Sequence, residues 1–201
     1  MDETQTEQQK AAAKKSAVAV TPTDASEAGK RSKPRKPARA KVVEEAARRY
    51  FAAISARDPD AMAACFRPDG IDDIVPLGVF RGPGEVRDLF TELFAAIPDA
   101  EMVVQRVVAD REIAAVEYRL AGTFQGGPFQ GIEPTGKRIE IRGTDLVEID
   151  DEGKIIRNTG YYDGAAFARQ IGMLPRQNSQ AERAMTVAFN AATGLRARLG
   201  R

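Results

Sequence analysis

Arg138-Ile139-Glu140-Ile141-Arg142-Gly143-Thr144-Asp145-Leu146-Val147-Glu148-Ile149 repeats with a period of two, not of three and four. A β-strand sends successive side chains to opposite faces, so this stretch sorts into two rows. One row is Ile139, Ile141, Gly143, Asp145, Val147 and Ile149; the other is Arg138, Glu140, Arg142, Thr144, Leu146 and Glu148. A strand apolar on one side and charged on the other belongs to a sheet that covers a core with one face.

The same period extends through the C-terminal half of the chain. Strands are expected at 101–109, 112–124, 137–150 and 153–162, joined by Asp110-Arg111, the Gly126-to-Gly136 loop and Asp150-Asp151-Glu152-Gly153. Before Pro98 the period is 3.6. Val43, Ala46, Ala47, Tyr50, Phe51 and Ile54 mark an amphipathic helix running to about Arg57. Asp58-Pro59 starts a second, short helix, with the Asp as N-cap and the proline at its first position, ending near Phe66 because Arg67-Pro68-Asp69-Gly70 reads as a turn. Ile71 to Phe80 reads as a short strand or irregular edge. Gly82-Pro83-Gly84 then opens a third helix on Val86, Leu89, Phe90, Leu93 and Phe94, closed by Pro98. Helices followed by long strands predict an α+β domain over residues 42–175, three N-terminal helices packed on a curved antiparallel sheet that encloses a small-molecule pocket.

The flanks differ in composition. Residues 1–41 hold no aromatic residue, no Leu and no Ile, which predicts a disordered tail because little apolar surface is available to offset ordering. They carry a net charge of +5, residues 42–175 carry −8 and residues 176–201 carry +4. Seven of the twelve residues 30–41 are basic. With no aromatic interleaved to stack on bases, they read as a solvated tail and only weakly as a nucleic-acid contact. Residues 176–201 are expected to form a helix at about 179–193, with Met185, Phe189 and Ala192 on one side, docked on the domain in preference to a partner, followed by a basic tail.

Composition narrows the chemistry. No apolar run approaches the roughly 20 residues of a membrane-spanning helix, and no secretory signal is recognisable. A single cysteine, Cys65, rules out an internal disulfide and fits a reducing cytoplasm; its apolar neighbours Met62 and Phe66 suit a buried thiol. The chain has no histidine. A Ser-His-Asp or Cys-His arrangement and a His-ligated zinc are therefore excluded, and an acid or base working near neutral pH must be a carboxylate, lysine or tyrosine with a shifted pKa.

Asp145 is the one charged residue in its apolar row. Burying a carboxylate is costly unless it is paired, hydrogen-bonded or neutral, and desolvation raises its pKa towards the range useful for proton transfer. Two readings stand side by side: a functional carboxylate, or one satisfied by a neighbouring tyrosine or amide; a bulge at Gly143 would instead turn it to solvent. Tyr118 shares a row with Ala114, Val116 and Leu120, and Asn158 and Tyr162 share one with Ile156. If these rows face inwards, the pocket holds a carboxylate, phenols and an amide, and Tyr50 of the first helix adds a further hydroxyl. Asp72-Asp73 reads as a solvated loop, since adjacent carboxylates point to different sides and no third ligand follows at a metal-binding spacing. Gly82-Pro83-Gly84 lacks the lysine and Ser/Thr of a phosphate loop.

Gly122-Thr123-Phe124-Gln125-Gly126, Phe129-Gln130-Gly131-Ile132-Glu133-Pro134-Thr135-Gly136-Lys137-Arg138, Arg142-Gly143-Thr144-Asp145 and Asp151-Glu152-Gly153-Lys154-Ile155 together resemble the SnoaL-like polyketide (ester) cyclases of the nuclear transport factor 2-like superfamily. Gly82 to Val86 and Ile97-Pro98-Asp99 agree with it, and the resemblance covers about residues 42–175. It implies a cone-shaped α+β barrel, a homodimer formed through the sheet, and an aspartate acid/base at Asp145 working without cofactor or metal. Many members carry a histidine where this chain has Phe124 and another near Asn158. The expectation is a cyclase-like or isomerase-like enzyme acting on a small apolar carbonyl compound, with Asp145 moving the proton and Tyr118, Asn158 or Tyr162 stabilising the enolate oxygen. The rival expectation is a non-catalytic binding or scaffold module of the same fold.

Overall fold

The computed structural model describes residues 38–199. Residues 1–37, with most of the expected tail and its basic stretch, lie outside the described residues. In chain order the elements are α1 (Ala38–Ala56), α2 (Pro59–Ala63), β1 (Phe66–Ile74), β2 (Gly78–Arg81), α3 (Gly82–Ala96), β3 (Glu101–Ala109), β4 (Ile113–Phe124), β5 (Lys137–Ile149), β6 (Ile155–Tyr162), α4 (Gly164–Ile171) and α5 (Gln180–Leu199). The strands form one curved, unclosed sheet in the order β2-β1-β6-β5-β4-β3. Helices α1 and α3 pack on the sheet and α2 packs against both, giving the expected α+β architecture. Among the described residues no helix is long and apolar enough to cross a membrane.

The period-3.6 residues of α1 are all buried: Val43, Ala46, Ala47, Tyr50, Phe51 and Ile54. The helix begins at Ala38 rather than at Val42. Its first turn is held by Arg39, whose guanidinium donates to the carbonyls of Ile149 and Asp150, both at 2.6 Å, and of Arg111 at 3.0 Å. A side chain that reaches the far ends of β3 and β5 gives this turn a tertiary reason to be helical that local propensity does not contain. Asp58 caps α2 as expected, accepting from the Ala61 amide at 2.9 Å.

Three readings of the sequence are corrected. Arg67–Gly70 is no free turn but the bulged part of β1: Phe66 pairs with Ile155 and Ile71 already with Arg157, so four residues sit against one. Beyond the bulge β1 runs parallel to β6, the one parallel pair in a sheet expected to be antiparallel. The long excursion through α3, β3, β4 and β5 allows that direction, since only a tight hairpin enforces the antiparallel one. Third, α5 does not dock: none of its residues is buried, and Phe189 is 69 % exposed. It is tied to the domain's edge through Glu182, which accepts from Arg169 at 3.2 Å. α4, an unanticipated helix, lies between an Asp163 N-cap and Gly172 in the left-handed conformation.

Candidate functional site

β5 pairs with β4 without a register shift from Ile113↔Glu148 to Phe124↔Lys137. The alternation of β5 therefore holds through Gly143, and Asp145 points to the inner face, 6 % exposed. Gly143 serves close approach instead of a bulge. It lies opposite Tyr118 on β4, and a Cβ there would overlap the phenol ring. One strand further, Asp145 lies opposite Gly160 on β6, where a Cβ would come within 3.0 Å of Oδ1. Each of the two polar side chains thus lies over a glycine of the next strand.

Asn158 is 1 % exposed, and its Nδ2 donates to Asp145 Oδ2 at 2.8 Å and to Asp72 Oδ1 at 2.9 Å. Asp72 is fully buried and accepts from the Tyr50 hydroxyl on Oδ2 at 3.2 Å. Reading Asp72-Asp73 as a solvated loop is thus wrong for Asp72. Only Asp73 turns outwards, 3.2 Å from Arg157. The shared row of Asn158, Tyr162 and Ile156 is corrected too: a register shift between Glu148 and Ile149 leaves Ile156 exposed while Asn158 stays inside.

A cavity of about 80 Å³ open to the centres of water molecules lies between the helices and the inner face. Tyr50, Tyr118, Asp145, Asn158 and Tyr162 all border it, so the structure brings every anticipated site residue together. The rest of the wall is aliphatic and aromatic, including Leu89, Phe90, Phe129 and Ile141. Asp72 does not reach the cavity; it stands behind Asn158. Of the two Asp145 oxygens, Oδ2 is held by Asn158, whereas Oδ1 is buried without a hydrogen-bond partner, as is Asn158 Oδ1.

Burial sets the electrostatics. It pushes the Asp145 carboxyl up to about 6, against the Asn158 amide and the nearby Tyr118 hydroxyl, which both favour the charged form. Burial likewise pushes Asp72 up to about 7, opposed by Asn158 and Tyr50 and reinforced by Asp145. The Tyr162 phenol is pushed up to about 12 by burial, and Tyr50 and Tyr118 are raised by burial and then by the neighbouring carboxylates. All three phenols therefore remain donors at neutral pH, while the carboxyls titrate close to it. Among the described residues no cluster of three or more metal-capable side chains forms.

The model of the SnoaL-like polyketide cyclase family matches residues 44–171. A proposed SnoaL-like polyketide cyclase from Jannaschia sp. CCS1 is 22% identical with a TM-score of 0.62, covering 72% of this chain and 100% of its own. AclR, a proposed hydroxylase from Streptomyces galilaeus, is 20% identical with a TM-score of 0.58, covering 68% and 99%. A protein with a ketosteroid isomerase-like fold from Catenulispora acidiphila, crystallised with trimethylamine, is 18% identical with a TM-score of 0.55, covering 64% and 92%. Such distant likenesses speak for the fold alone. No match was found among curated proteins.

Proposed function

This chain belongs to the SnoaL-like polyketide cyclase family, and from that premise we propose a cofactor-independent enzyme of cyclase or isomerase type. Its substrate is a small apolar carbonyl compound, in keeping with the narrow apolar cavity. The single observation that carries the reading is Asp145 itself, a buried carboxylate that borders an apolar cavity.

Ionised Asp145 takes a proton from the carbon beside the substrate carbonyl, leaving an enolate. Asn158 holds Oδ2 and so fixes the orientation of the carboxylate. A phenol of Tyr118 or Tyr162 donates to the enolate oxygen as negative charge develops there. Protonated Asp145 then returns the proton. Delivery to another carbon gives isomerisation; delivery to the alkoxide formed when the enolate carbon attacks a second carbonyl gives ring closure. A carboxyl pKa of about 6 suits both halves of the cycle, because each form is accessible near neutral pH. The same reading takes the chain as a homodimer through the outer sheet face, where Leu146 and Tyr161 are exposed. Light scattering on residues 38–199 at micromolar concentration should give twice the monomer mass, and a monomer would remove that element.

The enzymatic reading is tested by a thermal-shift screen against aromatic polyketides, steroids and terpenoids, followed by turnover of any stabilising compound. Asp145→Asn keeps the shape but cannot carry a proton. Turnover should fall by about 100-fold or more with ligand affinity little changed. Unchanged turnover in a folded variant would reject Asp145 as acid/base, and a ligand bound but never converted would favour the binding module.

A further inference from the structure

Asp72 is a fully buried carboxylate that the proposed chemistry does not use, and its surroundings are specific. β1 pairs with β6 so that Asp72 lies beside Asn158, and β6 pairs with β5 so that Asp145 lies beside Gly160. One amide nitrogen therefore bridges two carboxylates, at 2.9 and 2.8 Å. Their bridged oxygens are within about 6 Å of each other, where like charges in a protein interior cannot ionise independently.

Among the described residues no cation compensates the pair. Arg157, the basic residue on β6, is committed to Asp73 on the other face, and among the described residues no ion pair to Asp72 or Asp145 forms. Asp72 meets the Tyr50 hydroxyl of α1 and Asn158 of β6; the half-buried Phe80 lies across from it on β2. The buried side chains of α3, the helix packed on β1, are Val86, Leu89, Phe90 and Ala96, all apolar. Asp145 is faced by Asn158 and by the Tyr118 phenol of β4, with Tyr50 and Tyr162 across the cavity. The neighbours thus supply neutral donors and no positive charge. Two hydrogen bonds from a neutral amide orient both carboxylates, but they do not cancel the repulsion between two negative charges.

We propose that Asp72 is a positioning residue that clamps the Asn158 amide and, through its own charge, prevents the Asp72–Asp145 pair from ionising together, so that the pair retains one proton near neutral pH. The proposal rests on the reading of Asp145 as the proton-moving group and adds what controls its charge. With Asp72 protonated, Asp145 is free to be the base. Once Asp72 loses its proton, Asp145 holds its own more tightly and acts as the acid. The two groups then titrate as a unit with two macroscopic steps.

The test needs no substrate. The carboxyl carbons of both residues are followed by ¹³C NMR from pH 4 to 9 in the full chain, in Asp72→Asn and in Asp145→Asn. In the wild type each carboxyl should show two limbs separated by at least about one pH unit. Asp145→Asn should collapse the Asp72 curve to one limb with a lower midpoint, and Asp72→Asn should remove the upper limb of Asp145. Linkage makes the two effects equal in size. A purely structural Asp72 would leave the Asp145 curve in place. Single-limbed curves in the wild type, with midpoints unmoved by either substitution, overturn the proposal. Should Asp72→Asn fail to fold, the wild-type curves and Asp145→Asn decide alone. Two-limbed curves alongside unaffected turnover in Asp145→Asn would keep the coupling and remove only the acid/base role.

Discussion

Asp72 and Asp73 are neighbours in the chain and opposites in environment. On the inner face Asp72 is fully buried, held by a phenol and an amide, and its carboxyl is pushed up to about 7. On the outer face Asp73 is partly exposed and paired with Arg157 at 3.2 Å. The pleat makes the difference. The inner face of the sheet is a place where charge is expensive and positions are exact, and its outer face is one where charge is cheap and loosely held.

Among single substitutions, the largest stability effect should come from closing the space beneath Tyr118. Gly143→Ala drives a methyl group into the phenol ring and should cost about 3 kcal/mol by chemical denaturation. A cost below about 1 kcal/mol would mean that Tyr118 has room to move and is not fixed by its glycine.

Next comes pH. Asp72 and Asp145 bind protons more tightly folded than unfolded, since their carboxyls are raised to about 7 and about 6. Their contribution therefore favours the fold where they are protonated and is lost as pH rises through 6 and 7. These two groups should make the domain more stable at pH 5 than at pH 8 by on the order of 4 kcal/mol. Asp72→Asn should remove more than half of that difference. A stability curve that rises from pH 5 to pH 8 would contradict the inner-face electrostatics.

On the outer face the same kind of change should do little. Asp73→Asn breaks a half-exposed ion pair and should cost less than about 1 kcal/mol, diminishing further in salt. The smallest effect is expected from removing residues 180–199, the helix with no buried residue. The melting temperature should stay within about 2 °C of the full chain, because no core area is lost. A larger drop would show that α5 packs on the domain in solution.

The inner face was legible in the sequence wherever the period was long and unbroken. β5 offers six or seven positions per face, and in such a run Asp145 stands out as one carboxylate in an apolar row. Tyr118, Asn158, Tyr162 and the buried stripe of α1 followed from the same reasoning. Asp72 was hidden because β1 is regular over only a few residues and its bulge carries Pro68, Asp69 and Gly70, residues of turns. A faint signal lies in Tyr50: a phenol on the most buried stripe of a helix needs an acceptor, and Asp72 of β1 supplies it. Ile156 was misplaced for a similar reason, since one bulge inverts the alternation that follows it. The parallel pairing of β1 with β6 and the undocked α5 depend on contacts between distant segments, which local periodicity does not encode.

The central claim is that the carboxyl of Asp145 is poised near neutral pH by its burial against the apolar cavity. The most direct test is a ¹³C titration of that one carboxyl carbon in the wild-type protein. The account predicts a first inflection at about 6; an inflection near 4, the value of an exposed aspartate, would contradict it.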